Sequence, residues 1–166
     1  MPLPHALPET IKASLKAYTG LSYKSINKAL RGFGLAGAAT QQHIIRIQKA
    51  FATTPPIQKT IQVKRGINRI ALDNMAKQAG LAGADALLPG HIIQDKGFVS
   101  TSSGEGFSAR VKLHITVPAG GKAIDVKPIS KYSHENEILL PNGTKFKINE
   151  IKETSSGKHI HVEVLI

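Results

Sequence analysis

The 166-residue chain contains no cysteine and no tryptophan. Without cysteine there is no disulfide, no thiolate metal site and no thiol nucleophile. Without tryptophan no indole anchors the core, which must be built from aliphatic residues, three tyrosines and five phenylalanines. Long hydrophobic runs are also missing: no stretch approaches the roughly 20 apolar residues of a membrane span. The start, Met1-Pro2-Leu3-Pro4-His5, has no charged segment leading into an apolar run, so it is not read as a secretory signal.

Acids are scarce in one part of the chain only. Through Arg69 there are eleven lysines and arginines against a single acid, Glu9, whereas the remainder holds eleven bases and ten acids. Nearly all of the net charge of +11 therefore lies in the first seventy residues. Such asymmetry attracts anions, either phosphates or an acidic binding protein, and it serves equally as a solvated surface. Hydrophobic residues make up 41% of the chain, enough for a real core. The length fits one domain, 1–166, with a basic helical part over 1–56 and a mostly β part over 57–166.

The first fifty residues carry helical periodicity. One helix opens at Pro8-Glu9-Thr10 and runs to Ala17, with proline at its first turn. A second covers Ser22–Arg31 between the Gly20-Leu21-Ser22 turn and Gly32. There Tyr23, Ile26, Asn27 and Leu30 share a face, and Asn27 is the polar exception on an apolar stripe. A third covers Thr40–Ala52 and stops before Pro55-Pro56. The period then changes to two: Ile61 and Val63 alternate with Thr60, Gln62 and Lys64. After a short helix at Asp73–Ala79 and a glycine-rich connection to Pro89-Gly90, strands are expected at Gly97–Thr101, Val111–Val117, Lys122–Val126, Glu135–Leu140, Thr144–Ile151 and His159–Ile166. Helices first and strands later define an α+β chain.

Three places break the local rules. Arg65 falls on the same strand face as Ile61 and Val63, and a core-facing arginine needs an anionic partner unless the strand has already left the core. Phe98 and Val99, buried-strand residues, run directly into Ser100-Thr101-Ser102-Ser103. Those hydroxyls can hold a carboxylate, or simply form a serine-rich turn. Glu135 and Glu137 stand two apart on an expected strand, so both carboxylates leave one face. Two carboxylates that close repel and divide their roles, unless the edge is only solvated. His159-x-His161 has ligand-like spacing, but two exposed strand histidines commonly bind no metal, and none is expected.

The order of these features, with the segment Tyr18-Thr19-Gly20-x-x-Tyr23-x-x-x-Asn27-x-x-Leu30-Arg31 before them, resembles the bacterial ADP-ribosyltransferase exotoxins of the arginine–serine–glutamate class, the iota-type enzymes in particular. Lys64-Arg65-Gly66 is similar to that family's arginine strand and Phe98-Val99-Ser100-Thr101-Ser102 to its serine motif. Tyr132-Ser133-His134-Glu135-Asn136-Glu137-Ile138-Leu139-Leu140 is similar to its glutamate motif. The likeness extends over about residues 15–151. One departure is His114, with Lys112 nearby, where the family often carries a second arginine.

The resemblance implies an α+β ADP-ribosyltransferase fold, with two small near-orthogonal sheets and N-terminal helices flanking an NAD cleft. It implies mono-ADP-ribosyl transfer from NAD+ to a macromolecule through an oxocarbenium-like state, with no metal. Glu137 would stabilise the positive charge on the ribose. Ser100 would orient Glu137, with Thr101 and Ser102 in support. Arg65 would clamp the phosphates. Tyr18, Tyr23, Asn27 and His114 would contact the cofactor, Glu135 would handle the acceptor, and Tyr132 would touch the target. A glutamate at position 135 favours a protein arginine as acceptor. The basic first part keeps open RNA or DNA as acceptor, or a non-catalytic nucleic-acid-binding module of the same fold. A monomer without membrane contact is expected, with an acidic immunity protein as one reading of the basic part; the motif set most resembles an effector secreted or injected as part of a larger toxin.

Overall fold

A computed structural model describes every residue except 105–108, 131, 133 and 134, so Ser133 and His134 of the glutamate motif lie outside the described residues. The helical part comprises α1 (Glu9–Ala17), α2 (Tyr23–Leu30) and α3 (Ala38–Thr53). The expected Gly20-Leu21-Ser22 turn is a wide π-type winding over Tyr18–Ser22, and Gly20 alone leaves helical geometry (φ −84°, ψ −113°). The extra residue in that winding turns Tyr18, Thr19 and Gly20 inward and leaves Leu21 outside. At the end of α2, Phe33 N–H donates to Lys28 O and Gly32 N–H to Ala29 O, a pairing that requires the positive φ of Gly32 (82°).

The rest of the chain forms β1 (Ile61–Ile67), α4 (Arg69–Gln78), β2 (Ile92–Gln94), β3 (Val99–Ser102), β4 (Val111–Val117), β5 (Ile124–Asp125), β6 (Glu137–Leu140), β7 (Lys145–Thr154) and β8 (Gly157–Val164). Helix α4 begins four residues before the expected Asp73, because the Asn68 side chain caps it by accepting from Ala71 N–H at 2.7 Å. Strand β2 lies between Pro89-Gly90 and Gly97, where no strand was expected; its pairing with β7 (Ile93 opposite Phe146) creates it.

Hydrogen bonding links the strands in the order β2-β7-β8-β4-β1-β3-β6-β5. The two small sheets of the expected fold, β2-β7-β8-β4-β1 and β3-β6-β5, are thus joined into one ladder. The paired residues at the junction are Lys64 and Ser102. Two apolar cores flank the β3-β6-β5 part. Val99, Ile138 and Leu140 pack with Val63, Leu113, Ile115, Ile160 and Phe146. Phe98, Leu139 and Ile124 pack instead against Leu15, Tyr18, Ile26, Ile47 and Phe51 of the helices.

Strand β6 is therefore covered on both faces, which is why Ile138-Leu139-Leu140 reads as a continuous apolar run. Each such side chain removed from water stabilises the fold by about 1.5–3 kcal/mol. Alternation then dictates the site. Ser100 and Ser102 continue the face begun by Phe98, and Glu137 continues the face of Leu139. Polar groups thus appear where the helix-facing core ends.

Candidate active site

Antiparallel pairing sets Ser100 opposite Leu139 and Ser102 opposite Glu137, bringing the serine and glutamate motifs into one sheet segment. Arg65 arrives from β1 on the face shared by Val63 and Ile67, as alternation predicts, and its Nη1 donates to Ser100 O at 2.9 Å. Tyr18, Tyr23, Arg65, Ser100, Thr101, Tyr132, Glu135 and Glu137 line one pocket of about 490 Å³, together with Thr19, Gly20 and Leu21. Arg65 and Tyr23 also line an adjoining cleft of about 430 Å³, shared with Asn27, Lys24, Lys28, Arg31, Lys96, Phe33, Ile70 and Met75. Arg65 thus stands at the junction of a carboxylate-bearing pocket and a basic, partly apolar one.

Glu137 is only 7% exposed. Burial pushes its carboxyl above the ordinary value of 4.5, with repulsion from Glu135 adding to the rise, while a hydrogen bond from Ser100 and the charge of Arg65 oppose it. Burial also lowers the Arg65 guanidinium, chiefly against the charge of Asp95, yet a guanidinium stays cationic at neutral pH. Glu135 is exposed, and it does not share a strand face with Glu137 as expected. Strand β6 begins at Glu137, because Asn136 takes a left-handed conformation (φ 52°), which asparagine tolerates better than most residues. Glu135 therefore enters the pocket from a turn. That turn is held by Ser102 Oγ donating to Glu135 O (2.8 Å), Ser103 N–H donating to Asn136 O (3.2 Å) and Glu135 N–H donating to Tyr132 O (3.0 Å).

Several expected contacts are placed differently. The Thr101 hydroxyl donates to Ile138 O at 2.6 Å and locks β3 to β6. Asn27 and Tyr18 turn their polar atoms toward each other, with Asn27 Nδ2 donating to the Tyr18 hydroxyl at 2.8 Å. Ser102 lines a separate groove with Lys64 and His114. His114 does not join the Arg65 pocket: it pairs with Lys64, on the β1 face opposite Arg65. There its Nε2 lies 2.9 Å from His159 Nδ1 and its ring stacks on His161 at 4.5 Å. Its pKa is lowered to about 4 by burial, by His161 and His159, and by Lys64 and Lys112.

Sequence reasoning missed the Arg31–Asp95 pair, a two-pronged contact at 2.9 and 3.0 Å that ties the end of α2 to the segment before β3. Asp95 also accepts Gly97 N–H at 2.9 Å. The guanidinium fits there because residue 97 has no side chain: a Cβ would sit 2.9 Å from it. An acid two residues before a glycine was the available signal.

Comparison with known proteins identifies the family to which this fold and pocket belong. The family described as ADP-ribosyltransferase exoenzyme matches residues 5–165, and the chain belongs to that family. It is 30% identical over 150 residues to Mav of Mycobacterium avium (strain 104), covering 87% of this chain and 16% of Mav. It is 29% identical over 156 residues to the NAD(+)–protein-arginine ADP-ribosyltransferase Tre1 of Serratia proteamaculans (strain 568), covering 88% of this chain and 30% of Tre1. The chain thus spans less than a third of the length of these two curated relatives. Among solved structures it is similar to Plx2a, an ADP-ribosyltransferase toxin from Paenibacillus larvae, with 25% identity and a TM-score of 0.76, covering 96% of this chain and 88% of Plx2a.

Proposed function

We propose that this chain transfers ADP-ribose from NAD+ to an arginine side chain of a target protein. The observation that carries the reading is the buried Glu137 carboxylate held beside Ser100 and Arg65, with the exposed Glu135 entering the same pocket from the turn before it. The neighbouring cleft suits a dinucleotide. Arg65, Lys24, Lys28, Arg31 and Lys96 offer cationic donors for a diphosphate, while Phe33, Ile70 and Met75 supply apolar surface for flat rings. When bound, NAD+ supplies the activated nicotinamide–ribose bond.

Glu137 places negative charge where positive charge develops as that bond breaks, and Ser100 orients it. Arg65 holds the diphosphate at the junction of the two cavities. Glu135 receives a proton from the guanidinium nitrogen that bonds to the ribose carbon, and nicotinamide leaves. Tyr132, 44% exposed at the pocket mouth, contacts the target. Cations facing the dinucleotide cleft account for part of the basic surface, so that part of the charge needs no RNA or DNA acceptor to explain it.

That the matched region is a fraction of the length of the relatives Mav and Tre1, and that a further relative, of Pseudomonas aeruginosa, is named secreted exoenzyme S, supports the reading of a secreted or injected domain of a larger toxin. An acidic protein seated over the basic cleft would neutralise it in the producer.

The test is incubation with labelled NAD+ and a cell lysate. Label removed by protease and by hydroxylamine, and absent with Glu137→Gln, supports the reading. Label that resists protease and is released by nuclease overturns the protein-arginine acceptor.

A further inference from the structure

The resemblance gave Tyr18 and Asn27 to the cofactor. The Tyr18 hydroxyl, however, belongs to a buried residue, 1% exposed, and receives Asn27 Nδ2 at 2.8 Å. It lies 3.1 Å from Ser100 Oγ and 3.4 Å from Phe98 O. The orientation of the Asn27 amide is fixed by its other end, because Oδ1 accepts Phe98 N–H at 2.9 Å and that group can only donate. The tyrosine proton then has two acceptors in reach, Phe98 O at 3.4 Å and the nearer Ser100 Oγ at 3.1 Å, and the relay has it go to the serine. A serine that accepts there has its own proton free for the carboxylate of Glu137.

We propose that Asn27 and Tyr18 are positioning residues, forming with Ser100 a one-way hydrogen-bond relay that ends on Glu137. The relay rests on the proposed function only in assigning the reaction to Glu137. Its structural logic is that the buried Asn27 amide is fixed at both ends and so holds the Tyr18 hydroxyl in place, 3.1 Å from Ser100 Oγ, where it restrains the serine hydroxyl that serves Glu137. The helix α2 face explains the otherwise odd Asn27 on an apolar stripe. Ile26, on the same helix, packs into the core, while Asn27 ties the start of β3 to the tyrosine.

Tyr18→Phe removes the hydroxyl and keeps the ring, which packs edge-on against Phe98 (5.9 Å) and Tyr23 (6.2 Å). In this variant kcat for NAD+ cleavage should fall about tenfold, the worth of one hydrogen bond, with KM for NAD+ unchanged. The acidic limb of the pH–rate profile should move to higher pH, with Arg65 and Glu135, the charged neighbours of Glu137 among the described residues, left in place. In a Ser100→Ala background the same Tyr18→Phe change should have no further effect on kcat, because the relay acts through that serine. Independently of turnover, the Glu137 carboxyl followed by carbon-13 NMR in the unliganded protein should titrate at higher pH in Tyr18→Phe than in the wild type.

A raised KM with kcat and the carboxyl titration unmoved would make Tyr18 a cofactor contact and overturn the relay. So would full additivity with Ser100→Ala. If the wild-type protein cleaves no NAD+, the proposed function fails, and the NMR comparison still decides the relay.

Discussion

Two glutamates two positions apart occupy opposite environments, and that difference divides their roles. Glu137 sits in a dry strand beside Ser100, and Glu135 on an exposed turn. Glu137→Gln should lower NAD+ cleavage and transfer together by about 10²–10³-fold or more, the range for removing one preorganised electrostatic partner; steady-state turnover checks this. The same substitution should stabilise the fold at neutral pH. The folded-state pKa of Glu137 lies above the ordinary 4.5, so between those values the folded chain binds the proton more tightly than the unfolded one. Its stabilising contribution is present below the unfolded value and lost as pH rises through the folded one. Thermal melts should therefore show Glu137→Gln above the wild type near neutrality and equal to it once the wild-type carboxyl is protonated. Glu135→Gln should behave differently, losing transfer to arginine while keeping most NAD+ hydrolysis, as separate assays of nicotinamide release and acceptor labelling would show.

At the scale of elements, the site depends on strand ends and the turns that hold them. Strand β3 is bonded to β6 by Thr101 and to the Glu135 turn by Ser102, so these two hydroxyls hold the strands together while Ser100 bonds the Glu137 carboxylate. The β7–β8 hairpin closes through Gly157 at φ 123°, and a Cβ there would lie 2.2 Å from the carbonyl oxygen of Arg110. Neither atom belongs to a flexible side chain, so Gly157→Ala must displace backbone. It should destabilise the protein by roughly 1–3 kcal/mol, the strain of a disallowed backbone conformation, read as a lower urea midpoint. Binding of NAD+ to the surviving folded fraction should be unchanged, since Gly157 lies outside both cavities that meet at Arg65.

Across the whole molecule, charge and histidine placement set the response to pH. His114, His159 and His161 come from two neighbouring strands, with His114 opposite His161 and Lys112 opposite His159. Lys64 and Lys112 also face His114, whose pKa is lowered to about 4. The unfolded chain therefore binds more protons between the ordinary value of 6.5 and about 4, so stability falls as pH drops through that window. His114→Gln should flatten this part of the stability–pH curve in denaturant titrations, while activity at neutral pH stays near wild type. A fall in NAD+ affinity in this variant would instead show that the groove behind β1 communicates with the Arg65 junction.

Local periodicity and composition were sufficient for the α+β order, the strand identities of β1, β4 and β6, and the inward face of Arg65, because alternation is a property of neighbouring residues. The motif order of Arg65, Ser100 and Glu137 was also legible, and these three do converge on one pocket. Strand β2 was not legible, since it exists by pairing with β7, nor was the departure of Glu135 from the strand, which rests on the backbone conformation of Asn136. The Tyr18–Ser100 contact joins residues 82 apart, and the Arg31–Asp95 pair joins residues 64 apart. His114 carried a cofactor expectation, but β1 pairing turned it to the opposite face from Arg65. The sequence by itself determined which groups alternate inward and in what order the motifs follow. The tertiary structure decided which of those groups meet, because a hydrogen bond between distant residues depends on how strands and helices pack and on no local pattern.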